Sequence, residues 1–214
     1  MMKITVAPSI LAGDHSALAN AMDRVIKSGA RWLHIDIMDG HFVPNLTFGP
    51  QTVRALARHK RDLFFDVHLM LMHPEYFIEA FAEAGADLIS IHIESRSPIE
   101  KTLLAIKQMG KKVGIAINPE TAVEAIFPYV DRIDLALIMG VHPGFCGQRF
   151  LESSLEKIEV LRRYNREIKI EIDGGMNREY ARRCGRLGAD VVVTGAAFFE
   201  AEDPLELVRG IENE

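Results

Sequence analysis

Three short strings carry the residue types that hold cations and move protons: His34-Ile35-Asp36, Asp66-Val67-His68 and Glu171-Ile172-Asp173, the last running into Gly174-Gly175. Within each string the polar residues stand two apart, so on an extended strand they project to one side. If that side is the interior of a closed sheet, His34, Asp36, His68 and Asp173 converge. Two imidazoles and two carboxylates are a donor set suited to one divalent ion, Zn2+, Fe(II), Mn2+ or Co2+. Any of the four taken singly reads as a satisfied core histidine or a strand-end cap. Four on adjoining strand ends favour a metal. A carboxylate in an apolar mouth is costly unless paired or ligated, and a cation removes that objection. It would also polarise a carbonyl and stabilise the enediolate left when a proton leaves the neighbouring carbon. Inverting a stereocentre through that planar species needs a proton acceptor on each face. Asp36 and Asp173, from strands far apart in chain order, are the candidates.

Met38 and Met70 follow the first two strings, and Met139 ends a separate apolar run, Leu135 to Met139. Core filling is the default for a thioether; here the three would also form a soft floor that excludes water without offering a competing proton. Three turns suggest an anion site: His142-Pro143-Gly144-Phe145-Cys146-Gly147-Gln148, Asp173-Gly174-Gly175-Met176 and Thr194-Gly195-Ala196-Ala197. Glycines let backbone N–H groups approach a phosphate, and a following helix N-terminus adds a favourable dipole.

The elements that must position these residues alternate. Apolar, β-branched runs at Ile4 to Ser9, Trp32 to Ile37, Leu63 to Leu69, Leu88 to Ile93, Val113 to Asn118, Leu135 to Met139, Ile168 to Asp173 and Asp190 to Thr194 read as strands. Between and after them, stretches of helical period cover Ser16 to Ser28, Pro50 to His59, Pro74 to Ala84, Pro98 to Met109, Thr121 to Tyr129, Ser154 to Tyr164, Asn177 to Leu187 and Pro204 to Ile211. Strand–helix alternation implies parallel strands, and eight of them fit a closed (β/α)8 TIM barrel better than an open doubly wound sheet. Ala84-Gly85-Ala86-Asp87 and Leu187-Gly188-Ala189-Asp190 are near copies at helix-to-strand turns. With no linker or low-complexity tract, residues 1–214 read as one barrel domain.

Composition agrees with a globular protein: 48% apolar and 26% charged residues, with a net charge of -5. No cluster of Lys and Arg with interleaved aromatics is present, which argues against nucleic acid as partner. No apolar run is long enough for a bilayer span, and the start, Met1-Met2-Lys3-Ile4-Thr5-Val6, lacks the pattern of a secretory signal. Two unpaired-looking cysteines, Cys146 and Cys184, fit a reducing cytoplasm. Trp32 and Phe199 read as outward-facing, at an interface or in the core.

These motifs resemble the ribulose-phosphate 3-epimerase family along essentially the whole chain. The matching stretches are Ala7-Pro8-Ser9-Ile10-Leu11, His34 through Asn45, Asp66 through Met70, Pro143-Gly144-Phe145 with Gly147-Gln148, and Asp173-Gly174-Gly175. The resemblance implies interconversion of D-ribulose 5-phosphate and D-xylulose 5-phosphate in the pentose phosphate pathway, with His34, Asp36, His68 and Asp173 as metal ligands and the two aspartates doubling as acid and base. It also implies a substrate contact at Ser9, contacts at His68 and Phe145, a cap of Met38, Met70 and Met139, phosphate against Gly144, Gly147, Gly174, Gly175, Gly195 and Ala196, and a homo-oligomer. Gly140 stands where the family usually has Ser or Thr, Cys146 where it has Gly, and Ala196 where it has Ser. Those departures leave a ketohexose substrate, D-allulose 6-phosphate, as the alternative. A non-catalytic sugar-phosphate-binding barrel is disfavoured because both aspartates are present. A phosphate-binding decarboxylase is disfavoured because Asp36-Ile37-Met38-Asp39 offers no lysine beside the acidic pair.

Overall fold

The computed structural model describes residues 4–213, so Met1, Met2 and Lys3 of the N-terminal run lie outside the described residues. In chain order the elements are β1 (Thr5–Pro8), α1 (Leu18–Lys27), β2 (Trp32–Met38), α2 (Pro50–His59), β3 (Phe64–Met70), α3 (Ile78–Ala84), β4 (Leu88–His92), α4 (Ile99–Gln108), β5 (Lys112–Ile117), β6 (Leu135–Met139), α5 (Ser153–Tyr164), β7 (Lys169–Asp173), α6 (Arg178–Leu187), β8 (Val191–Thr194), α7 (Ala196–Phe199) and α8 (Pro204–Glu212). The eight strands pair in parallel in the order β1-β8-β7-β6-β5-β4-β3-β2. A parallel bridge between Ser9 and His34 brings the two ends of that order together, and the sheet becomes a (β/α)8 TIM barrel.

Each expected strand forms within a residue or so of its expected ends. Two helical expectations are corrected. The Thr121 to Tyr129 stretch is a 3-10 segment, Val123–Arg132, because Pro128 lies inside it. A proline there lacks the N–H of an α ladder and its ring collides with the carbonyl four residues earlier. The stretch from Pro74 splits into a 3-10 turn, Pro74–Tyr76, and the shorter α3. Helix α7 had no counterpart in the sequence reading, where Gly195-Ala196-Ala197 counted only as a turn.

Strand alternation divides the apolar residues into two layers. Leu33, Ile35 and Ile37 of β2 and Phe65, Val67 and Leu69 of β3 join the core between sheet and helices. The other face of β2 and β3 points inward. Trp32 and Phe64 stack there, ring centroids 4.3 Å apart, and close the barrel floor with Leu88, Leu135 and Val191. Trp32 is thus an interior plug, and partly buried Phe199 packs on the outer core.

The near-repeated turns have a shared job. Gly85 and Gly188 end α3 and α6 in the left-handed region, φ 118° and 114°, a conformation that suits glycine. Two residues on, Asp87 and Asp190 each grip the start of the preceding strand. Asp87 donates its N–H to Phe65 O and accepts from Phe65 N at 2.8 Å; Asp190 does the same with Ile170, also at 2.8 Å. Asp134, before β6, repeats the device on Val113 at 2.9 Å. A cation faces each of the three: Arg61 on Asp87, Lys112 on Asp134 and Arg162 on Asp190. Arg162 is the most elaborate, also donating to the carbonyls of Gly188, Arg166 and Ile168.

Replacing Arg162 by Ala strips charged hydrogen bonds from the turns before β7 and β8 and should cost about 2–3 kcal/mol of stability. Denaturant unfolding monitored by circular dichroism measures this. An unchanged midpoint would show that water replaces the guanidinium without loss.

Candidate active site

At the C-terminal ends of the strands, register does the assembling. On β2 and β3, His34 lies opposite Asp66, Asp36 opposite His68 and Met38 opposite Met70; on β6 and β7, Met139 lies opposite Asp173. Inward projection then focuses four side chains on one point. His34 Nε2 and His68 Nδ1 each lie 3.2 Å from Asp36 Oδ1 and 3.8 Å from Asp173 Oδ2. Tetrahedral donors about 2.0–2.1 Å from a zinc ion would stand roughly 3.3 Å apart. One donor atom from each of the four lies within 4.8 Å of the rest, so this cluster can hold a metal ion. The remaining ring nitrogen of His34 donates to Asp66 Oδ2 at 2.6 Å, the outer-shell carboxylate that orients a ligating imidazole.

Above the cluster opens a cavity of about 180 Å3. Ser9, Asp36, Met38, Met70, Met139, Gly144, Phe145, Gly147, Asp173, Gly174, Gly175, Gly195 and Ala196 all line it, whereas His34 and His68 lie beneath and do not. Ser9 Oγ donates to Asp36 Oδ2 at 2.5 Å. Leu11, Gln148 and Met176, which stand in the sequence motifs without an assigned role, also line the cavity, as does Val141, which no motif contains. Asp39 accepts from the backbone N–H groups of His41, Phe42 and Met72, each at 2.8 Å, and so folds the loop after β2 onto the loop after β3. Asn45 Nδ2 reaches across to Gly144 O at 2.7 Å.

Comparison with known proteins bears on this geometry. Residues 5–199 match the Ribulose-phosphate 3 epimerase family. The chain belongs to that family. The ribulose-phosphate 3-epimerase of Schizosaccharomyces pombe is 41% identical over 100% of this chain and 94% of its own length; that of Bacillus subtilis is 45% identical over 97% and 98%. The expectation of an enzyme, an isomerase of carbohydrate metabolism, stands with them. The orotidine 5'-phosphate decarboxylase of Pyrococcus horikoshii, at 15% identity, superposes over 98% of both chains with a TM-score of 0.70; that likeness concerns the fold alone.

The three positions that depart from the family's usual residues are each accommodated in this epimerase-family chain. A side chain at Gly140 would meet Gly174 O and the Phe150 ring at 2.7 Å, so the phenyl group fills the space a hydroxyl residue would need. Cys146 adds no backbone strain: in its loop the left-handed residues are Gly144, φ 125°, and Gly147, φ 78°. Ala196 begins α7, with Gly195 before it. Gly174 and Gly175 have less latitude. Both have positive φ, and a Cβ would come within 2.3 Å of the Val141 side chain at Gly174 and 2.5 Å of Phe150 N at Gly175.

The electrostatics follow from crowding acids and imidazoles out of water. Burial opposes charge on His34, but Asp36 and Asp66 outweigh it and raise the imidazole well above its usual pKa. Burial likewise opposes charge on Asp36, yet His34 and His68 hold it well below the carboxylate range. Asp173 lacks such compensation: burial and then repulsion by Asp36 push it up to about 7. Burial and Asp66 raise Glu171 well above its ordinary value, which keeps it neutral. His68 is lowered by burial, and His92, for the same reason, to about 4.

A metal must therefore displace protons held at Asp173 and His34. Zn2+ affinity should weaken on the order of tenfold per unit as pH falls toward 7, from the His34 proton, and approach about a hundredfold per unit below 7, where Asp173 holds a second, with net proton release on binding. Calorimetric titration between pH 6 and 8 in buffers of different ionisation heat tests both. Affinity that stays flat over that range would contradict the site's electrostatics.

Proposed function

We propose that residues 1–214 act as one catalytic barrel that inverts carbon 3 of a ketose phosphate, with D-ribulose 5-phosphate and D-xylulose 5-phosphate as the pair. The observation that carries this reading is the gathering of Asp36 and Asp173 about the His34 and His68 nitrogens, both aspartates facing a cavity ringed by glycine turns. The names and near-complete coverage of the relatives support the same substrate pair.

His34, Asp36, His68 and Asp173 would hold one divalent ion, Zn2+, Fe(II), Mn2+ or Co2+, which would polarise the substrate carbonyl and offset the negative charge that grows on its oxygen. One aspartate takes the proton as the C3–H bond breaks, and the electron pair moves into the adjoining carbonyl. The other aspartate gives a proton to the opposite face of the planar intermediate, and C3 is inverted. The reverse reaction exchanges the two roles. Ser9, already bonded to Asp36, is placed to meet a substrate hydroxyl while holding the carboxylate's orientation. Met38, Met70 and Met139 supply apolar walls without exchangeable protons, so the intermediate is shielded from stray protonation. Phe145 covers the outer side. The phosphate lies against the backbone at Gly144, Gly147, Gly174, Gly175, Gly195 and Ala196, an arrangement seen at barrel mouths after the last strands.

The remaining partners follow from the surface. Among the described residues no helix is long and apolar enough to cross a membrane. Free Cys146 and Cys184 suit the cytoplasm. Exposed Leu46, Tyr76 and Phe77, on the loops after β2 and β3, support a homo-oligomer.

Asp36→Asn and Asp173→Asn should each slow exchange of the C3 proton with solvent deuterium by about 10²–10⁴-fold while leaving the circular dichroism unchanged. NMR of the incubated sugar phosphate reads the exchange; wild-type rates in both variants would remove the acid/base assignment. For the purified protein, kcat/KM should favour ribulose 5-phosphate over allulose 6-phosphate and fall with chelator. The opposite preference would move the assignment to the hexulose phosphate.

A further inference from the structure

Behind His68 lies a polar chain that the proton transfers do not use. His68 Nε2 faces His92 Nε2 at 2.8 Å, and His92 Nδ1 lies 3.1 Å from Glu94 Oε2. Both rings are fully buried. The register explains the contact: Ser90 of β4 lies opposite His68, and His92 follows two residues later on the same inward face. Phe42 packs against the His92 ring, with centroids 4.6 Å apart. The other oxygen of Glu94 accepts from Asn118 N at 2.7 Å and from the Thr121 hydroxyl. Lys157 Nζ braces that loop through the carbonyls of Asn118, Pro119 and Thr121.

We propose that Glu94 and His92 are positioning residues that fix the tautomer of His68, leaving its Nδ1 lone pair bare toward Asp36 and Asp173. A neutral imidazole has one N–H and one lone pair, and a carboxylate only accepts. Glu94 therefore requires the His92 proton on Nδ1, and His92 presents a lone pair at Nε2. Across 2.8 Å, His68 must answer with its own Nε2–H. Its Nδ1, 3.2 Å from Asp36 Oδ1, is left without a proton, the state a ligand nitrogen needs when a cation is to stand between it and that carboxylate. The inference rests on the metal reading above and names what prepares one of its ligands.

An isosteric change separates this role from simple packing. In Glu94→Gln the amide oxygen would stay with its two donors, Asn118 N and the Thr121 hydroxyl. The amide NH2 would then face His92 Nδ1 and reverse every step of the chain, so that the proton of His68 is driven onto Nδ1. Zn2+ affinity should drop about 10–100-fold in Glu94→Gln, although size and fold are preserved. Long-range 1H–15N spectra of the unsubstituted, metal-free protein, where the ion itself cannot set the tautomer, should show His68 protonated on Nε2 and His92 on Nδ1. This second measurement decides the matter even if the variant does not fold. Zn2+ binding by Glu94→Gln within about twofold of the unsubstituted protein, or a His68 Nε2 without a proton, would overturn the relay alone. No Zn2+ binding by the unsubstituted protein would overturn the metal reading, and this inference with it.

Discussion

Asp36 and Asp173 expose only 4% and 9% of their surface, and their carboxylates share a space in which like charges repel strongly. The rest of the mouth is organised around offsetting that repulsion. His34 and His68 reach the same two oxygens, and their attraction keeps Asp36 ionised. They do not suffice for both acids, since Asp173 is left near neutrality, at about 7. One further positive charge between the four donors would complete the balance. The donors stand at distances suited to receiving it, and both acids face the cavity above.

That arrangement is only as accurate as the strand register. A slip of one residue in β2 would send His34 and Asp36 outward to the helices and bring Leu33 and Ile35 in. The clamps at the other end of the barrel guard against such slips. Asp87 ties the start of β3, which carries His68, to β4, which carries His92. Asp190 ties β7, which carries Asp173, to β8. A device far from the chemistry thus sets where the ligands arrive, and it does so with backbone bonds that tolerate little error. This is the usual barrel division between a stabilising floor and a reactive rim, expressed in particular residues.

The strands were legible because a β-branched run buried on both faces is hard to mistake, and the two-residue spacing of His34 and Asp36, Asp66 and His68, Glu171 and Asp173 announced a shared face. Less legible was anything that depends on neighbours in space. The stretch from Thr121 has helical period, but Pro128 vetoes the α ladder. Trp32 alternates inward and plugs the floor, a side that pattern alone cannot choose. His92-Ile93-Glu94 has the same spacing as the flagged strings. Nothing local distinguishes it until the register of β3 and β4 sets its first ring against His68. The Asp39 motif was visible as a string, but its use as a clip for the Phe42 and Met72 backbone requires two loops to meet.

The departures at Gly140, Cys146 and Ala196 can be weighed on the same physical basis. All three lie beyond the strand ends, Gly140 and Cys146 in the loop after β6 and Ala196 at the start of α7, so none disturbs the register that gathers His34, Asp36, His68 and Asp173. At Gly140 the Phe150 ring occupies the space of the missing side chain, and at nearby Gly175 a Cβ would come within 2.5 Å of Phe150 N. At Cys146 the backbone is one any residue adopts, and the left-handed positions of that loop fall to Gly144 and Gly147 on either side. At Ala196 a hydroxyl is absent while the backbone N–H survives. Cys146 and Ala196 line the cavity on its glycine-turn side, and none of the three changes removes either aspartate. The departures therefore sit with the segments after β6 and β8, apart from the ends of β2 and β7 that present Asp36 and Asp173 to the cavity.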